Sequence, residues 1–275
     1  VASAGRRKAV TTTSRMRRFS HSLVSTYLDC PRKAWFRYIE EIPSPPVPAL
    51  IIGSACDEAW NYALQTKLEI EIDLGSTMVQ EVAEQSFRDR VYAEGGAAAI
   101  DWGEDGSARK SLGSALRLAE EWAINLQPHI RPSAVQIEYH RPLPSGRDFV
   151  GYIDWQGTVN GAEVIGDNKT GKRRMASDKV DRELQPFAYG YMLDEPILFA
   201  YARAIDTGRN VSSEFVYTER SRADATWYGE ILAGVERGFE TGTFPANPGS
   251  FLCGRSCPYL ERCMPHRTIN GAHKA

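Results

Sequence analysis

The chain has 275 residues, 42% of them hydrophobic, and its 33 basic and 35 acidic side chains give a net charge of −2. That length fits one large domain, and the apolar content is ample for a core. The balanced charge excludes a bulk polycation, so a nucleic-acid partner must be held by local patches. No apolar run reaches the roughly 18 residues that a membrane span needs.

In chain order, residues 1–18 form a Ser/Thr/Ala-rich basic lead that reads as disordered. Met16 within it is an alternative start to Val1. Residues 22–38 are predicted helical with a break near Pro31, and Pro43-Ser-Pro-Pro-Val-Pro48 reads as a stiff linker. Helices are predicted over 54–67, 76–93 and 107–126, with a Gly/acidic loop at 101–106. Three strands follow over 134–141, 149–159 and 162–169, the last two joined by the hairpin signal Asn160-Gly161. A helical pattern covers 178–193, then strands 197–205 and 213–218, then a helix over 223–240. The expected body is one domain over 19–267: mostly helical to 130, strand-rich over 131–220, then a helix and a cysteine segment. Residues 268–275 are a tail.

The chemistry-bearing residues cluster on the second and third predicted strands. Asp154 closes Gly151-Tyr152-Ile153-Asp154, and Asp167 closes Val164-Ile165-Gly166-Asp167, with Lys169 two residues on. Positions i and i+2 of a strand share a face, so Asp167 and Lys169 project together. If Asp154 lies opposite, two carboxylates and an ammonium meet at one end of a sheet. Such a set can hold Mg²⁺ or Mn²⁺ for phosphodiester hydrolysis. A solvated hairpin with an ordinary ion pair is the competing reading. Gln185 and Tyr189 share a helix face, with Pro186 marking a kink or a helix start. The run Lys172-Arg173-Arg174 could clasp phosphates or be a plain solvated charge run.

These elements, in this order and at these separations, resemble the PD-(D/E)XK nucleases, most closely the RecB-like branch with AddB and the CRISPR-associated exonucleases. The opening Ser20-His-Ser22-Leu23 … Tyr27-Leu-Asp-Cys30-Pro31 agrees with that branch. The resemblance implies an α/β fold: a restriction-endonuclease-like core with a mixed β-sheet flanked by helices, a helical N-terminal elaboration and a C-terminal iron–sulfur segment. It implies that Asp154 and Asp167 ligate the metal with the Asn168 carbonyl, that Lys169 is catalytic, and that Gln185 and Tyr189 orient it or grip DNA. Asp57, in Gly53-Ser-Ala-Cys-Asp57, stands where the branch commonly has a histidine ligand. An aspartate still offers oxygen to a hard cation. Alternatively, Ser54 and Asp57 form a cap at a helix start.

Of the five cysteines, Cys30, Cys253, Cys257 and Cys263 match the split set that binds a 4Fe–4S cluster in the resembling proteins. Zinc is the alternative, and His266 a substitute ligand. Cys56 is left over as a small buried apolar residue. The odd count and the lack of a visible secretory signal argue against a disulfide framework. The expected function is a metal-dependent DNA exonuclease acting on ends, in the cytoplasm of a prokaryote or encoded by a phage. A helicase, recombinase or integrase is the expected protein partner, since no ATP-binding motif is present. The alternative is a catalytically weakened DNA-binding or assembly subunit.

Overall fold

The computed structural model describes residues 16–103, 106–254 and 256–264. The expected basic lead up to residue 15, His266 and the tail lie outside the described residues.

The helical first half begins with β1 (Arg18–Phe19), α1 (His21–Asp29) and α2 (Pro31–Ala34), which runs into a π-helical turn over Trp35–Ile39. Then come α3 (Pro48–Ile70), α4 (Ser76–Ala93) and α5 (Ala108–Asn125). Two differences from expectation have local causes. Arg18 belongs to the sheet, because its backbone pairs with Asp148 of a later strand. The Pro-rich run ends in the helix itself: Pro48 is the first residue of α3, where a missing N–H costs nothing. Ser54 and Asp57 are therefore interior to α3, and the capping alternative for Asp57 is removed.

The second half supplies β2 (Ile130–Pro142), β3 (Asp148–Val159), β4 (Ala162–Gly171), a short α6 (Ser177–Val180), α7 (Leu184–Leu193), β5 (Ile197–Asp206), β6 (Val211–Arg220) and α8 (Arg222–Thr241). A four-residue α9 (Leu260–Cys263) follows in the cysteine segment. Asn160 and Gly161 both take positive φ, 51° and 87°, as the tight β3–β4 hairpin requires. The single predicted helix over 178–193 is two helices, and Pro186 falls in the first turn of the second.

The sheet is mixed, in the order β1-β3-β4-β5-β6, with β2 on the other edge of β3. β1–β3 and β4–β5 are parallel pairs; β2–β3, β3–β4 and β5–β6 are antiparallel. Residues of β5 alternate between two cores. Ala200, Ala202 and Ala204 face α3 and α5, where Trp60 and Trp122 stack at 5.5 Å. Phe199 and Tyr201 face the aromatic core under α1, α7 and α8, with Phe149, Tyr228 and Phe239. Small residues on one face make room for two indoles, and each fully buried large side chain contributes roughly 1.5–3 kcal/mol.

Gly166 shows how tightly this packing constrains β4. A Cβ there would lie 1.9 Å from the ring of Trp155, which is fully buried. Gly166→Ala is therefore expected to destabilise the fold by about 1–3 kcal/mol. Urea denaturation measures this, and an unchanged midpoint would show that the indole can move aside.

Candidate active site

Pairing between β3 and β4 runs from Val159–Ala162 to Trp155–Gly166 and stops. Asp154 and Asp167 are the next residues on each strand. Beyond them β4 stays with β5, Asp167 opposite Tyr201 and Lys169 opposite Arg203. β3 stays with β2, although the ladder skips Asp154 and its facing Gln136, whose φ is +51°. The strands thus fork with one carboxylate on each prong. Asp154 Oδ2 accepts a hydrogen bond from the Asn168 backbone N–H at 2.8 Å, so the side chain replaces the missing ladder partner.

β1 pairs with β3 at Asp148 and Phe149, on the edge that β4 also uses. Between them, residues 150–154 border a cavity of about 490 Å³. Asp154, Asp167, Lys169, Gln185 and Tyr189 line one side of it, and residues 16–23 with Tyr38 wall the other.

Asp167 is 1% exposed. Gln185 Nε2 donates to its Oδ1 at 2.5 Å and to Tyr189 Oη at 3.0 Å. Tyr189 Oη donates to the Tyr152 carbonyl at 2.8 Å and lies 3.4 Å from Oδ1. The Gln185/Tyr189 pair thus fixes Asp167. Burial, with the nearby Asp167 and Asp154 carboxylates, pushes the Tyr189 phenol well above its ordinary range, so it stays a neutral donor. At 4% exposure it is sealed away from a macromolecule.

Lys169 Nζ lies 2.6 Å from Asp167 Oδ2, which has no hydrogen-bond partner besides that ion pair. Enclosure by itself would lower the ammonium's pKa. The Asp167 and Asp154 carboxylates outweigh it and hold the group above its ordinary value, as a cation. Burial, then Asp167 and Asp57, raise Asp154 well above the carboxylate range. Burial and Asp167 push Asp57 up to about 6. These mutual shifts place Asp57, on α3, within electrostatic reach of the fork.

Asn168 points the other way. Its side chain accepts from Trp155 Nε1 at 3.3 Å and donates to Asn61 Oδ1 at 3.4 Å, so only a backbone atom of Asn168 could serve a cation at the fork. The basic run does not line the cavity. Lys172 faces α5, the Arg173 carbonyl accepts from Arg203, and Arg174 sits 3.9 Å from Glu214.

Three residues here were not singled out by the sequence. His21 lines the cavity with a buried, unpartnered Nδ1, and burial with the charge of Lys169 lowers its pKa to about 4, so it is neutral at physiological pH. Tyr201 donates to Gln185 Oε1 at 3.4 Å. Asn61 joins Asp57 to Asn168. Asn61 was recoverable, since it lies four residues after Asp57 on one helix face.

The chemistry of this donor set fits a divalent cation. Three carboxylates face one ammonium, and one buried carboxylate oxygen lacks a hydrogen-bond donor apart from the ammonium. Among the described residues, no three His, Cys, Asp or Glu side chains stand together as a ready ligand group, so a cation here would rest on two carboxylates and a backbone oxygen, with Asp57 drawn in.

Apart from the carboxylate cavity, Cys30, Cys253, Cys257 and Cys263 line one small cavity of about 20 Å³. All are free thiols. Burial raises the pKa of Cys263, and Cys30, Cys257 and Cys253 add to that shift. Cys56 stands apart, fully buried, with Sγ 3.6 Å from the Ala115 carbonyl oxygen.

The sequence profile of the PD-(D/E)XK nuclease superfamily matches residues 18–264. No curated protein matches the chain. Among solved structures, a protein described as "Putative exonuclease" from Eubacterium rectale aligns with a TM-score of 0.53 at 12% identity, covering 90% of this chain and 89% of its own. A second, SSO0001, aligns at a TM-score of 0.34 and 10% identity, covering 86% and 92%. The first shares the fold; the second is too distant to carry an argument. The match spans the forked strands, the aspartates and the flanking helices together: the chain belongs to the PD-(D/E)XK nuclease superfamily.

Proposed function

We propose that this protein is a divalent-metal-dependent deoxyribonuclease that hydrolyses phosphodiesters at DNA ends. The observation that carries the reading is the fork, where Asp154 and Asp167 leave the β3–β4 ladder side by side with Lys169 between cavity and carboxylate. Members of the superfamily usually use Mg²⁺ or Mn²⁺. Asp154, Asp167 and the Asn168 backbone oxygen would hold the ion, with Asp57 as a further oxygen donor. When bound, the ion supplies Lewis-acid polarisation of water and phosphate.

The other roles belong to the chain itself. Lys169 presents a permanent positive charge where negative charge builds on the phosphoryl oxygens. Gln185 and Tyr189 fix the Asp167 carboxylate, and the Asn168 N–H fixes Asp154, so neither reorganises during the reaction. Water adds to phosphorus, the P–O bond to the leaving nucleoside breaks, and the departing oxygen takes up a proton. Preference for ends is supported by the walled cavity, which is closed on one side by β1 and α1. We infer further that Cys30, Cys253, Cys257 and Cys263 hold a 4Fe–4S cluster, on the strength of their shared cavity and the resemblance to AddB-type proteins.

Asp167→Ala should abolish cleavage of end-labelled DNA with either metal while leaving DNA binding largely intact. If the wild type binds DNA tightly yet cuts none with Mg²⁺ or Mn²⁺, the enzyme reading is wrong and an assembly subunit remains.

A second expectation concerns pH. Asp57 and Asp154 have raised folded-state pKa values, so each adds stability when protonated and loses it as pH rises through its raised value, about 6 for Asp57. A cation binds the ionised form and should stabilise increasingly above that point. The rise in Tm with Ca²⁺ should be larger at about pH 7.5 than at about pH 5. Equal shifts at both pH values, or an unchanged pattern in Asp167→Asn, would remove the cation from this site.

For the cysteines, anaerobically purified protein should contain iron and absorb broadly in the visible. Replacing any of the four should cost both colour and stability, and Cys56→Ala neither. Zinc without iron would refute the cluster but keep the four-thiol staple, and absence of both metals would refute both.

A further inference from the structure

A larger groove, about 830 Å³, lies outside the carboxylate cavity. The first turn of α3, the first half of α5, the residue after β4 and the β5–β6 turn form it. It opens at the carboxyl ends of β4 and β5, a parallel pair, where open α/β sheets bind ligands. Its lining includes four basic side chains: Arg109, Lys110, Arg117 and Lys172.

Among the described lining residues the one carboxylate is Asp206, and its charge is already engaged. It is 6% exposed, and it accepts from Ser114 at 2.7 Å, from Arg117 at 2.5 Å and from the Gly208 N–H at 2.8 Å. Arg117 keeps 48% of its side chain exposed despite this pairing. Arg109 and Lys172 are exposed and have no carboxylate partner among the described residues. Among the described residues, then, the groove's basic side chains outnumber its one carboxylate.

Its position relative to the fork is set by β4. Lys172 follows Lys169 by three residues, about 10 Å at the usual strand rise. Thr170 between them packs against Gly53 of α3, whose Cβ position is 3.5 Å from the Thr170 hydroxyl. Three residues on, Lys172 takes the face of Asn168 and Thr170, opposite that of Lys169, so a polyanion with one phosphodiester at the carboxylates brings further phosphates to Lys172 by passing over the carboxyl ends of β4 and β5.

Resting on the nuclease reading, we propose that Arg109, Arg117 and Lys172 form a backbone-phosphate site for the nucleic-acid strand whose scissile bond lies in the cavity. This site reads charge and not base identity, since its groups are flexible cations that would meet phosphates. It makes the enzyme dependent on substrate length: a dinucleotide fills the cavity but cannot reach the groove.

The test pairs binding with cleavage. In an Asp167→Asn background, which prevents cutting, binding of a dodecanucleotide is followed against salt with and without Arg109→Gln/Lys172→Gln. Arg117 is left in place because it holds Asp206. The double variant should bind at least about fivefold more weakly, and the slope of log affinity against log salt should fall by about 1.4, two phosphate contacts' worth on a single strand. In the otherwise wild-type enzyme, the same pair should raise KM on the dodecanucleotide and leave dinucleotide cleavage unchanged. A control pair on other surfaces, Arg88→Gln/Arg182→Gln, should do neither. Unchanged binding and salt slope would overturn the groove site while leaving the nuclease reading intact. So would equal losses on the dinucleotide, which would put the charges to work in the cavity itself. A parent protein that neither binds nor cuts DNA would overturn both.

Discussion

The site depends on one constraint, the loss of pairing between β3 and β4 after Trp155 and Gly166. Antiparallel strands joined by a two-residue turn tend to keep pairing. Beyond the fork each follows the neighbour on its opposite edge, β3 with β2 and β4 with the parallel β5. The packing of Trp155 against Gly166 makes the separation specific: the indole occupies the space of a side chain on β4. The two carboxylates leave the ladder at that point, and Asp154 satisfies the Asn168 N–H that the lost strand partner would have engaged. The geometry of the fork follows from backbone hydrogen-bond accounting, which requires every buried N–H to find an acceptor.

Gathering three carboxylates near one ammonium has an electrostatic cost that the surroundings sustain. Burial and mutual repulsion raise the pKa of Asp154 and Asp57, while Asp167 is held by Gln185 and an ion pair. The α7 residues fix the orientation of the Asp167 carboxylate. Their value lies in pre-organisation, since fixed dipoles need not reorient when charge develops. His21 completes the polar wall as a neutral group, so it adds no competing charge next to Lys169.

Much of this was legible in the sequence, for physical reasons. Period-two alternation and the Asn-Gly turn fix β3 and β4, and the i, i+2 rule puts Asp167 and Lys169 on one face. The i, i+4 rule pairs Gln185 with Tyr189, but it could not say that both would serve Asp167, because that depends on how α7 docks against the sheet. Pro48 misled because one residue type both ends extended segments and begins helices, and only the packing of α3 against β4 decides. β1 was hidden by its length: two residues carry no period, and Phe19 is in a strand only because β3 has an unpaired edge there. His21 left no signal, since a lone histidine between two serines acquires its setting wholly from tertiary structure.

The strand on that unpaired edge is also tied to a distant part of the chain. The segment that walls the cavity, residues 18–23, leads directly through α1 to Asp29 and Cys30. There the C-terminal region grips it. Asn247 donates to the Asp29 carbonyl at 2.8 Å, Ser250 to the Asp29 carboxylate at 2.7 Å, the Arg32 N–H to the Pro245 carbonyl at 3.1 Å, and the Asn247 N–H to Cys30 Sγ at 3.4 Å. Tyr27 donates to the Thr243 carbonyl at 2.8 Å, one turn earlier on α1. β1 contributes two paired residues, too few to hold a wall by themselves. The wall is held from behind, through the helix, by contacts more than two hundred residues distant in sequence. Closing so long a loop carries a chain-entropy cost that grows only logarithmically with length, so a handful of hydrogen bonds and the four-cysteine cavity suffice to sustain it. The residues that wall the cavity and the residues that the C-terminal region grips are thus the two ends of one helix, α1.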